Sequence, residues 1–93
     1  MAEPEPSAEE VLERLRQVPV SDLLLSAMSS VAQLGYARLE PEGRDLDQAR
    51  LAIEAVRALV TVLREALPQE TLRDFEQVVA DLQLAYAAAV STS

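Results

Sequence analysis

Cysteine, histidine, lysine and tryptophan are all absent from this 93-residue chain, and glycine occurs twice, at Gly35 and Gly43. Without cysteine there is no disulfide, no thiolate nucleophile and no zinc–sulfur site. Without histidine there is no imidazole acid or base, no Ser-His-Asp triad and no histidine-bound metal. Without lysine there is no Schiff-base nucleophile. The two glycines do not stand at the spacing of a phosphate-binding loop, and they supply little material for hairpin turns. Only Tyr36, Phe75 and Tyr86 are aromatic, so the apolar 49% of the chain is mostly Leu, Val and Ala. Leu and Ala rank among the best helix formers. The expected fold class is all-α, and the expected activity is not enzymatic.

Sixteen acidic residues against eight basic ones, all Arg, leave a formal charge of −8. A phosphate-backbone binder needs clustered cations to release counterions, so direct nucleic-acid binding is not expected. The acidity suits solubility or a basic protein partner. The lysine-free, Ala-rich composition points to a GC-rich bacterial genome. The first ten residues are acidic and Pro-rich, where a secretory signal is basic and then apolar, so the expected location is cytoplasmic.

The chain divides into an acidic arm and short helix over residues 1–18 and a helical domain over 19–93. Met1–Pro6 (MAEPEP) reads as a disordered arm that cannot offset its ordering entropy. Ser7 and Glu10 stand at capping-box spacing. Val11, Leu12, Leu15 and Val18 then form one helical face, which Pro19 ends. About three turns are marginal unless they dock. A second helix is expected from a Ser21 cap to Leu34, with Gly35 as a left-handed C′ residue. Leu24, Met28, Val31 and Leu34 make its stripe, widened by Leu23, Ala27 and Ala32, while Ser26, Ser29, Ser30 and Gln33 form its polar side. A helix this apolar is normally buried.

Tyr36–Arg44 reads as a loop punctuated by Pro41 and Gly43. Asp45 and Gln48 again have capping-box spacing. Ala49, Ile53, Val56, Val60, Leu63 and Leu67 follow at alternating 4,3 steps, an a/d heptad seam. Pro68 opens a fourth helix, whose seam is Leu72, Phe75, Val79, Leu82, Tyr86 and Ala89, with Ser91–Ser93 fraying. The short connection makes the last two helices an antiparallel αα-hairpin.

Asp45 and Asp47 are oxygen donors of the kind a hard cation takes. The residues after them lack the calcium-loop pattern, and helix capping accounts for both, so no metal or other cofactor is expected. Glu9, Glu10 and Glu13, and Asp74, Glu76 and Asp81, read as solvated faces. The apolar run Leu23–Leu34 is too short to span a bilayer of about 20 residues and has no flanking cations for interfacial binding.

Several segments together resemble a known family: the Ser-containing helix ending in Leu34-Gly35, then Asp45-Leu46-Asp47-Gln48-Ala49-Arg50, an Ile/Val helix, and the closing Leu82-Gln83-Leu84-Ala85-Tyr86. Over roughly residues 19–88 the chain is similar to the bacterial "domain of unknown function 1844" family, actinobacterial type. Its turns at Pro41-Glu42-Gly43-Arg44 and Glu65-Ala66-Leu67-Pro68 differ from those of many members. The resemblance implies a helical fold and carries over no site. Actinobacterial members often lie beside translation genes, which implies one role: an accessory protein whose acidic face binds a basic ribosomal or RNA-associated protein.

The residues themselves favour a self-associating interaction module with no small-molecule substrate. Helices three and four satisfy each other, leaving the second helix with more apolar surface than one stripe can bury. The short first helix could cover part of that excess; the other cover is the same helix of a second copy. A homodimer is expected, with an interface centred on Leu23, Leu24, Leu25, Met28 and Val31 and approached closely at Ser26, Ser29 and Ser30. If no metal supports the fold, thermal unfolding curves with and without a chelator superimpose; a lower midpoint with chelator reveals an oxygen-ligand site, foremost at Asp45 and Asp47.

Overall fold

Caps and prolines set the element boundaries. The structure, a computed structural model, describes Glu5 and residues 7–92. The arm expected over Met1–Pro6 lies, Glu5 apart, outside the described residues, as does Ser93. Helix α1 spans Ala8–Gln17 and starts where the Ser7 hydroxyl accepts from the Glu10 amide at 3.2 Å. Val18 and Pro19, both extended, separate it from α2, Val20–Ala37. A turn and a 3₁₀ helix at Pro41–Gly43 lead to α3, Leu46–Val62, capped by Asp45 accepting from the Gln48 amide at 3.2 Å. Pro68, which has no amide hydrogen to leave unpaired, stands immediately before α4, Gln69–Thr92.

The described residues are 83% helical with no strand, far above the third that an ordinary domain shows. The fold is a small all-α bundle. Its packed pairs are α2 with α3, α3 with α4, and α2 with α4. Residues 57–64, from α3 and the turn after it, lie beside 76–79 of α4, and 50–54 beside 83–86, so the two run antiparallel as expected.

The core follows the two seams. Ala49, Ile53, Val56, Val60 and Leu63 from α3 and its end are buried with Leu72, Val79, Leu82 and Ala89 from α4. Phe75 and Tyr86 are half-buried against them, as is Leu67. From α2 come Met28 and Ala32, and Leu39 joins from the loop. Arg44 closes that loop. Its guanidinium donates to the Leu39 carbonyl at 3.0 Å and to the Thr92 hydroxyl at 3.3 Å, tying the α2–α3 turn to the end of α4.

Three expectations are corrected. Helix α2 neither starts at Ser21 nor stops at Leu34; Pro19 is its N-cap and the helix runs through Gly35 to Ala37. Gly35 has no positive φ and serves a different purpose. A Cβ there would sit 3.1 Å from the Ala52 Cβ and 3.4 Å from a Leu82 methyl, so the missing side chain lets three helices meet at this point. Ser91 and Thr92 do not fray. They continue α4, and their hydroxyls donate to carbonyls one turn back, Ser91 to Ala87 and Thr92 to Ala88 and Ala89.

Two substitutions test this core. Met28→Ala empties a fully buried site and costs about 2–5 kcal/mol. Gly35→Val overpacks the three-helix meeting point and costs about 1–3 kcal/mol. In urea both lower the unfolding midpoint without changing its slope.

Candidate interaction surface

Helix α2 carries too wide an apolar arc for the neighbours it has. At 3.6 residues per turn, its apolar positions span roughly 200°. Leu24, Leu25, Met28, Val31 and Ala32 occupy one part of that arc and pack on the core. Val20, Leu23, Ala27 and Leu34 occupy the rest, and all four are exposed, Leu34 at 60%. Helix α3 has a second apolar line beside its seam: Leu51, Ala55, Leu59 and Val62, at steps of 4, 4 and 3. Leu51 is 62% exposed, Val62 is exposed too, and Ala55 and Leu59 are half-buried.

The two lines adjoin. Val31 and Leu34 of α2 face Leu51, Ala52 and Ala55 of α3 across a depression of about 310 Å³, with Arg38 and Gln48 at its polar end. No α4 residue lines it. Because α2 and α3 are antiparallel, the periodicity carries the same face on towards Leu23 and Val20 of one helix and Val62 of the other. The opposite sides of these helices are different in character. Between α3 and α4 the surface notches are edged by Arg50, Glu54, Arg57, Arg64 and Glu76. Two ion pairs occur among the described residues, Arg16–Glu13 and Arg57–Glu54, and both are exposed. Exposed pairs of this kind contribute little to stability.

The structure divides the five residues expected at a dimer interface. Leu23 is exposed on the open face, and Val31 is half-buried in its depression. Leu24 and Leu25 are half-buried against the core. Met28 does not belong to a surface: it is 0% exposed within one chain, sealed among α2, α3 and α4 residues, and this part of the expectation is withdrawn. Of the three serines expected at a close approach, periodicity places Ser26 and Ser29 away from the open face and Ser30 at its edge. Leu34, Leu51, Ala55 and Val62 were missed. The repeat of Leu51, Ala55, Leu59 and Val62, off the main seam, was the available signal.

Among the described residues, no group of three or more acidic side chains is placed to hold a metal ion, and no helix is long and apolar enough to cross a membrane. Asp45 accepts the Gln48 amide, which is a cap's geometry. Comparison with family models, with curated proteins and with solved structures finds no match to this chain.

On the α4 side of α2, burial pushes the Tyr36 phenol above its ordinary value near 10, and the Asp81 carboxylate pushes it further. An unfolded tyrosine therefore ionises first as pH rises, the native state then holds more protons than the unfolded one, and stability falls above pH 10. Stability measured from pH 9 to 11 should decline less for Tyr36→Phe than for the native chain.

Proposed function

We propose that this chain is a non-enzymatic, cytoplasmic, self-associating helical module. It acts as a homodimer whose interface is the open α2–α3 face. The observation that carries this reading is the two-helix apolar surface itself, with Leu23, Leu34, Leu51 and Val62 exposed along it. Patches of this kind mark interaction sites on soluble proteins.

Surface area supports the reading. The accessible surface is 7068 Å², whereas a folded monomer of 10.1 kDa exposes about 5,300 Å². The Cα radius of gyration is 17.2 Å, against about 12 Å for a compact chain of this length. The molecule measures 52 × 38 × 18 Å; the unpacked α1, with no buried residue, and the open α2–α3 face both contribute to this extended, thin shape. Two parallel-sided helices of this length present a footprint of roughly 500 Å². Two copies face to face then bury about 1,000 Å², the lower bound for a stable contact.

The lack of His, Cys and Lys supports a role without catalysis, since the common nucleophile–base and metal chemistries have no residues to perform them. An acidic chain repels its own copies at long range, so the attraction must come from apolar contacts, and added salt, which screens the repulsion, does not weaken the dimer.

The test compares substitutions of two exposed leucines. Leu34→Glu lies on the open face and Leu84→Glu on the outer side of α4, where Leu84 is 71% exposed. Neither removes a core contact, so each should change monomer stability by no more than about 0.5 kcal/mol. Light scattering behind a sizing column should give a dimer for the native chain and for Leu84→Glu, and a monomer for Leu34→Glu. A dimer in all three places the interface elsewhere.

A further inference from the structure

Helix α1 is the other unexplained apolar element. Val11, Leu12 and Leu15 line one side of it, Val18 follows, and all four are exposed; no α1 residue is buried. Ten residues are too few to hold a helix in water without packing. A stripe at helical spacing on a helix that short needs a surface to lie on.

Its own chain's open face is out of reach where that face is deepest. Helix α1 is about 15 Å long, and Leu34 lies about 21 Å along α2 from Val20. Only Val18 and Pro19 link the two helices. Folded back as a hairpin, α1 would end near the level of Ser30. The depression at Leu34, Leu51 and Ala55 would stay empty.

A second copy removes the difficulty. A two-fold axis crossing the middle of α2, near Ala27, lays the partner's α2 antiparallel over the first. That places the start of one α2 above the end of the other. Each α1, continuous with the start of its own α2, then emerges beside the opposite chain's Leu34–Leu51 depression.

Resting on the dimer reading, we infer that α1 is a reciprocal arm: the stripe Val11, Leu12, Leu15 and Val18 of one copy seats on the Leu34–Leu51 end of the α2–α3 face of the other. The occupant is thus a second copy of this chain. The arm adds apolar area to an interface that, on α2 and α3 alone, only reaches the threshold of stability.

The absence of cysteine makes the test clean. Leu15→Cys and Leu51→Cys are made as separate full-length variants, mixed reduced to allow exchange, then oxidised gently. The arm predicts a mixed Leu15→Cys/Leu51→Cys disulfide as the main covalent dimer by mass spectrometry, since the bond forms only where Cα atoms come within about 7 Å. Leu15→Cys mixed with Leu84→Cys should give no such species. In parallel, Leu12→Glu combined with Leu15→Glu should weaken dimerisation at least tenfold while leaving the dichroism spectrum unchanged, because both leucines are exposed in the single chain. A dimer that resists both tests overturns the arm and leaves self-association standing. A cross-link forming within one chain of the Leu15→Cys/Leu51→Cys double variant shows α1 folded on its own α2–α3 face and also overturns it. A native chain that is monomeric overturns both readings.

Discussion

Helix α4 fills one of the two grooves that flank the α2–α3 pair, and this asymmetry governs the rest of the molecule. Three helices can share one core, but the pair at their centre has two sides. On the α4 side, Leu82 approaches the gap left by Gly35 and the three helices close together. On the other side, Leu34 and Leu51 border a depression that no other described residue fills. The hydrophobic effect contributes roughly 25 cal/mol for each Å² of apolar surface removed from water. An uncovered face of two helices therefore forgoes a contribution that a chain of 93 residues, with a thin core, can ill forgo.

The seams of α3 and α4 were plain in the sequence because each buries a single stripe against an antiparallel neighbour, the case for which a 3,4 repeat is sufficient. The caps at Ser7 and Asp45 were equally plain, since they depend on spacing alone. Helix α2 was harder. An arc of roughly 200° shows that much of a helix wants burial but not which half its neighbours reach; Met28 and Leu34 share one expected stripe, yet Met28 is sealed in the core and Leu34 is exposed. Gly35 has the residue type of a helix stop, yet it is held inside the helix by a close approach to Ala52 and Leu82 that no local rule contains. The open face was legible only in part. Leu23 and Val31 stood out, whereas Leu51 and Val62 became meaningful once α3 was seen to adjoin α2 on the uncovered side.

Self-association through this face would tie folding to concentration. A partner that binds only the native state stabilises it by mass action, so core and interface would be thermodynamically inseparable at low concentration. The charge distribution fits the same account. The Arg and Glu side chains of α3 project on the α4 side and towards solvent, leaving the α2–α3 face apolar from Leu34 to Val20, with Arg38 and Gln48 confined to one end. Polar groups at a rim and apolar groups within it are the anatomy of protein interfaces.

The central claim is that a second copy covers the α2–α3 face, and sedimentation equilibrium of the unmodified chain measures this directly. The account predicts a mass twice the 10.1 kDa of one chain at micromolar concentrations, not reduced by raising the salt. A mass of 10.1 kDa across that range, with the helical spectrum intact, would contradict it.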